Sequence, residues 1–296
     1  MLTRKLMLAA LLSGLCWAQG VCAKGSPAGP AVVATIKPLQ FIAEAILDGV
    51  GSVSALIEGS GSPHHFNLSP NDRLVIEQAD VLLWVDPEFE IYLAALFGDI
   101  AAKESSIIVT ASEIPGLTLH RFPGGELDPH LWLSQDNATL IAQSLTEQLT
   151  SIYPEKASHF RAGLEQFRNG NEEQAQSLQR LFSNQQVANY LVYHDAYRYF
   201  EHDHGLSHSA SLVTDPDVQP GMREVLEVRK TIKDTNPVCI LLQPDASPAL
   251  VATMVQNDAV NRTTIDLLGS SLEPSPNAYR QLIDQVATGF SSCLNI

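Results

Sequence analysis

From residue 31 onward, short runs of aliphatic and β-branched residues alternate with longer stretches in which apolar positions recur every three or four residues. The runs "AVVATIK", "VSALIEG", "VLLWVD" and "SIIVTA" have the length and composition of buried strands. Between them "FIAEAILDGV", "NDRLVIEQA" and "EIYLAALFGDIA" carry helical spacing. The second half repeats the arrangement, with strands in "NYLVYHD", "SASLVTD", "VCILLQP" and "TTIDLL". Its helices are "AYRYFEHDHG", "MREVLEVRKTIKDT", "PALVATMVQN" and "AYRQLIDQVATGFSSCL". Strands and helices in alternation call for right-handed crossovers, so the predicted fold is α/β, with two lobes, each a mainly parallel sheet flanked by helices.

The halves are separated by "YPEKASHFRAGLEQFRNGNEEQAQSLQRLF", where Ala157, Phe160, Leu164, Phe167, Leu178 and Leu181 keep one apolar stripe. Pro154 suits a first helical turn, and Gly170 and Asn171 interrupt the stripe without ending it. One long, rigid helix is predicted to join the lobes, in contrast to a flexible Gly/Ser hinge. The resulting boundaries are 30–152 for the N-terminal lobe, 153–184 for the linking helix and 185–296 for the C-terminal lobe.

The start of the chain changes the compartment in which these residues are read. Arg4 and Lys5 precede an apolar run over residues 6–18, and Val21, Cys22 and Ala23 place small residues at a cleavage site. Residues 1–23 therefore read as a signal peptide, the run being shorter than the roughly 20 residues of a membrane span. Leu15 and Val21 precede the two leader cysteines, where a lipoprotein signal needs a small residue, so a soluble exported protein is expected. Loss of Arg4 and Lys5 leaves 16 basic residues against 33 acidic ones, a balance that repels nucleic acid and anionic membrane. Only Cys239 and Cys293 remain, and two cysteines in an oxidising compartment are expected to form one disulfide.

Ligands in open α/β sheets bind beyond the carboxyl ends of the strands. His64 follows "VSALIEG" through the loop "GSPHHFNLSP", His194 ends "NYLVY", Asp266 ends "RTTI", and His130 follows a Gly/Pro-rich loop. Imidazole and carboxylate donors on separate loops suit a four-coordinate zinc site in the cleft between the lobes. A single loop histidine is more often an ordinary surface residue. Three at equivalent addresses, two ligands coming from each lobe, shift the balance toward a metal site.

"SPHHFNLSPND", "DPHLWLS", "YHDAYRYFEHDHGL", "VQPG" and the terminal "CILLQP", "TIDLLG" and "SSCL" resemble the metal-binding proteins of zinc and manganese ABC transporters. The likeness is closest to the periplasmic zinc-binding (ZnuA) type. It implies a buried Zn²⁺ between two lobes on one long helix, delivered to an inner-membrane ABC permease by a monomeric, non-enzymatic binding protein. Carried over, the ligands are His64, His130 and His194, with Asp266 first and water second for the fourth position. His194 stands where manganese members of the family carry Glu, and an imidazole-rich site favours zinc over manganese. Pro63 stands where some zinc members carry a coordinating Glu, and the loop before His130 is short and holds only His120 where many zinc members have a His/Asp-rich insertion.

Around these ligands, Asp128 and Asp195 are candidates to orient His130 and His194, and Lys37 to pair with a cleft carboxylate. Trp132 and Tyr197 are expected to wall the cleft. His65 is expected in an accessory or solvent role, and His202, His204 and His208 either form weak auxiliary sites or end a polar helix. Because imidazoles bind metal when neutral, affinity is expected to fall through the histidine range near about 6.5. A manganese-binding protein of the same family is the alternative function. A secreted zinc hydrolase ranks lower, since the sequence lacks H-E-x-x-H and G-x-S-x-G, and nothing in it suggests a surface adhesin.

Overall fold

The structure is a computed structural model that describes residues 29–58, 62–183, 189–255 and 260–296; residues 1–23, expected as a signal peptide, lie outside the described residues. The N-terminal lobe runs β1 (Ala31–Ile36), α1 (Lys37–Leu47), β2 (Ser52–Ile57), α2 (Pro70–Glu77), β3 (Val81–Trp84), α3 (Ile91–Ala102), β4 (Ile107–Thr110) and α4 (Gln135–Ile152). After α5 (Ala157–Phe182), the C-terminal lobe runs β5 (Tyr190–Val192), α6 (Arg198–His204), β6 (Ala210–Ser211), α7 (Met222–Thr235), β7 (Cys239–Leu242), α8 (Pro248–Met254), β8 (Asn261–Thr264) and α9 (Ala278–Leu294). All pairings within the two sheets are parallel, in the orders β2-β1-β3-β4 and β6-β5-β7-β8. The lobes thus repeat one topology, and in each the chain reverses its crossover direction at the central strand, where such sheets bind ligands.

Two local features depart from the sequence reading. Pro38 in the first turn starts α1 at Lys37, so this lysine opens the helix instead of ending the strand. "LWLSQDNATLIAQSL" divides into a 3₁₀ turn over Leu131–Leu133 and α4, because Ser134 stops the first element and caps the second through the Asn137 amide.

α5 spans about 39 Å at 1.5 Å per residue. It packs against α1, α4 and α9. Gly163 lies where an added Cβ would stand 2.7 Å from the Ala45 carbonyl oxygen, so its lack of a side chain sets the close crossing over α1. The polar break in the α5 stripe is buried and paired. The Asn171 carbonyl and Gln174 Oε1 accept from Gln135, and Gln174 donates to the Arg280 carbonyl and Asp284. The helix therefore grips both lobes with apolar contacts along most of its length and a hydrogen-bonded polar layer in the middle, in which Gln135 Oε1 and Asn171 Oδ1 have no partner. One hydrophobic core runs through both lobes and α5, while a smaller one lies beneath α7 and α8. Cys239 on β7 and Cys293 on α9 form a disulfide, with Cα atoms 5.4 Å apart.

Candidate metal centre

Loops from both sheets meet in one cleft, a cavity of about 70 Å³ whose lining includes His64, His130, Trp132, His194, Gln243 and Asp266. β5 and β7 end in the apolar residues Val192 and Leu242, and a polar side chain following each enters this space. His194 lies two residues beyond β5 and Gln243 one beyond β7. The pairing of Val192 with Leu241, continued by two residues, brings His194 level with Gln243.

The donor atoms of His64, His130 and His194 lie within 4.8 Å of one another. His130 and His194 are 3% and 6% exposed, and His64 is half-buried. His130 Nδ1 lies 2.7 Å from Asp128 Oδ1, and His194 Nδ1 lies 2.8 Å from Gln243 Oε1. Both partners accept hydrogen bonds, so both rings carry their proton on Nδ1 and turn an Nε2 lone pair into the cleft. Those two Nε2 atoms are 3.3 Å apart. Two bare lone pairs at that distance repel each other. It is the separation, about 3.3–3.4 Å, that tetrahedral zinc with 2.0–2.1 Å bonds imposes on two nitrogen ligands.

Burial, then the nearby His130, lowers the His64 pKa to about 4. Burial, then His130 and His64, holds His194 well below the ordinary range. These rings stay neutral well below pH 6.5, so the decline expected from unperturbed imidazoles moves to lower pH for these two histidines.

Asp266 lines the cavity but stands outside the cluster of converging donors. Its Oδ1 accepts from the Leu268 amide, and its Oδ2 from the amide and hydroxyl of Ser270, which folds the loop after β8. Lys37 donates to the carbonyls of Ser270 and Leu272 at 2.9 and 2.7 Å. It therefore ties the N-terminal lobe to this loop and does not pair with a cleft carboxylate. Trp132 Nε1 donates to the Leu267 carbonyl and adds a second tie, while Tyr197 is buried behind the site against Phe290.

Asp128 orients His130, but Asp195 is taken up by Arg198 and leaves the corresponding role at His194 to Gln243. Sequence reasoning missed Gln243. The available signal was a polar residue ending the apolar run "CILLQ" at the same address as His194. His202, His204 and His208 diverge: His208 bonds Glu201, His204 packs against Phe182 and Phe200, and His202 faces Asp203.

The loop after β3 braces His64. Phe89 sets its ring edge against the imidazole at 5.1 Å, and the Tyr92 hydroxyl donates to the Pro63 carbonyl at 3.2 Å. Glu90, fully buried in that loop, accepts from the Val85 and Asp86 amides through Oε2. Its Oε1 and the neighbouring Thr35 Oγ1 lack a hydrogen-bond partner of good geometry. A proton on Oε1, donated to Thr35, pairs both atoms. Burial pushes the Glu90 pKa up to about 7. The folded state thus keeps a proton that the unfolded chain releases near pH 4.5, and stability is lost as pH rises between those values. The expected loss is about 3 kcal/mol. Chemical denaturation of the metal-free protein from pH 5 to 8 should show this decline in the parent protein and a flatter curve in Glu90→Gln; equal slopes would exclude Glu90 as the source.

Comparison with known proteins gives a consistent picture. Residues 32–293 match the family described as zinc-uptake complex component A, periplasmic. The high-affinity zinc uptake system protein ZnuA of Yersinia pestis is 27% identical, with 90% of this chain and 92% of that protein aligned. The crystal structure of Streptococcus pneumoniae AdcAII superimposes with a TM-score of 0.77 at 23% identity, covering 91% of this chain and 99% of that one. Zn(II)-bound AdcA from the same organism gives a TM-score of 0.73 at 20% identity over 88% of this chain, which spans 57% of that longer protein. These two superpositions show the shared fold.

Proposed function

The chain belongs to the zinc-uptake complex component A family of periplasmic proteins, and on that premise we propose that it captures Zn²⁺ in the periplasm and delivers it to an inner-membrane ABC permease. The observation that carries this reading is the pair of buried imidazole Nε2 atoms 3.3 Å apart, each ring held in the metal-binding tautomer by an acceptor on Nδ1. His64 supplies the third donor from the opposite side of the cleft. Asp266 supplies the fourth: it lines the same cavity, and its oxygens keep lone pairs beyond those used by the loop after β8.

Three imidazoles and one carboxylate favour zinc over manganese, which prefers oxygen-rich sites. The cavity of about 70 Å³ fits an ion with little else, whereas small-molecule sites occupy roughly 300–1,000 Å³, so a hydrolase reading has less support. Residues 1–23 act as the export signal in this reading, and the mature protein works as a monomer. Release follows small loop and lobe shifts, because α5 and the shared core oppose wide hinge opening.

The test is metal analysis of the protein purified from its own periplasm, followed by titration of the metal-free form with Zn²⁺ and Mn²⁺ against a competing chelator. One tightly held zinc per chain, with manganese bound at least a hundredfold more weakly, is the expected result. Preferential recovery of manganese, or no bound metal, would defeat the proposal.

A further inference from the structure

Behind the mouth of the cleft, the three histidines hold their donors in the interior; at the mouth itself stands a second group. His65, Asp215 and Asp217 also bring their metal-binding atoms within 4.8 Å of one another. His65 comes from the N-terminal lobe, next in sequence to His64, while the two aspartates flank Pro216 on the loop after β6. Ser62, Pro63 and Pro216 line the same cavity as His64, so this group frames the entrance to the buried site.

The two loops already touch, since the Ser62 hydroxyl donates to Asp217. The Asp217 amide donates to Asp215 Oδ1 at 2.9 Å, which turns Asp215 Oδ2 toward His65. His65 Nε2 and Asp215 Oδ2 are 3.9 Å apart, too far for a hydrogen bond. Two ligands of one tetrahedral zinc with bonds of about 2.0–2.2 Å stand roughly 3.3–3.6 Å apart. The pair lies a few tenths of an ångström outside that range, a distance that these exposed side chains close by turning toward a shared ion.

We propose that His65, Asp215 and Asp217 form an outer binding site for a divalent transition-metal cation, Zn²⁺ as the cargo, at the mouth of the cleft. The assignment of its cargo rests on the function proposed above. One imidazole and two carboxylates make a mixed nitrogen and oxygen donor set that zinc accepts. His65 and Asp215 are 66% and 39% exposed in their side chains, so water completes the coordination and binding is weaker than at the buried histidines. Because the donors come from both lobes, a cation held there also bridges the loops that flank the entrance.

The test is calorimetric titration of the full mature chain with Zn²⁺ alone, in the parent protein and in His65→Ala, Asp215→Asn and His130→Ala, with circular dichroism to confirm folding. Two classes of site are expected in the parent protein. His65→Ala and Asp215→Asn should weaken the looser class at least tenfold and leave the tighter one within threefold. His130→Ala should remove the tighter class and retain the looser one. A parent protein with no looser class, or a looser class that survives both His65→Ala and Asp215→Asn, overturns the outer site. Absence of the tighter class in the parent protein would instead count against the cargo function, which separates the two failures.

Discussion

His194→Ala is expected to weaken zinc binding about a thousandfold, equivalent to about 4 kcal/mol. The substitution removes one of three converging nitrogens and leaves Gln243 Oε1 without its imidazole donor. It does not merely shorten a contact: the remaining His130 and His64 cannot close a tetrahedron around the ion without water or Asp266 filling two positions. His130→Ala should behave similarly and also leave Asp128, wholly buried, without the imidazole that its carboxylate accepts from. His64→Ala should cost somewhat less, because the half-buried position admits a replacement water. Gln243→Ala supplies the graded comparison, since loss of a group that orients a ligand costs about 10–100-fold. Competition titration with a chelator of known affinity measures all four. Unchanged affinity in the three histidine variants would remove these residues from the metal site. His159→Gln is the control, because His159 binds the Leu47 carbonyl on the far side of α1 and should leave affinity unaltered.

The parts of this site legible in the sequence are those fixed by topology. His194, two residues past β5, has little choice of direction, whereas His64 and His130 reach the same cleft from longer loops after β2 and β4. Two mainly parallel sheets and one long helix follow from the alternation of apolar runs, whose period distinguishes strand from helix, while the shared strand order comes from the structure. What periodicity cannot convey is which polar neighbour wins a given hydrogen bond. Asp195 is adjacent to His194 and yet bonds Arg198, three residues on along the start of α6. Gln243 comes from a strand 49 residues away, and only sheet register brings it level with His194.

Lys37 gives the same lesson. Its position at the end of β1 suggested a cleft carboxylate, but Pro38 starts the helix there, and the ammonium reaches carbonyls more than 230 residues later. Gly170 and Asn171 read as an interruption in the stripe of α5, whereas in the structure Asn171 and Gln174 face glutamine and backbone partners from α4 and α9. Burial of the Glu90 carboxyl likewise has no trace in the sequence, where it opens an amphipathic helix in the usual place for an acid. Long-range pairing of polar atoms, in each case, is the information that a one-dimensional pattern lacks.

Replacement of both Cys239 and Cys293 by Ala is expected to lower stability by about 4 kcal/mol, the chain-entropy value for a bridge across 54 residues. For a protein of this size that corresponds to a fall in Tm of about 10 °C. Both sulfurs are fully buried between β7 and α9, so the variant also loses packing at a site that water cannot fill. The closed segment contains α8, β8, and the loop from Asp266 that Lys37 and Trp132 hold against the N-terminal lobe. His64, His130 and His194 all lie outside it, while Asp266 and Gln243 lie within it, held by their own hydrogen bonds. Zinc affinity at 25 °C should therefore change by less than tenfold while the melting temperature drops, which separates the scaffold from the three histidines. Reductant should lower the Tm of the parent protein toward that of the variant and leave the variant unaffected. If the double variant melts within about 2 °C of the parent, the unbridged chain retains enough order across residues 239–293 to make the crosslink redundant, and the entropic account of the bridge fails.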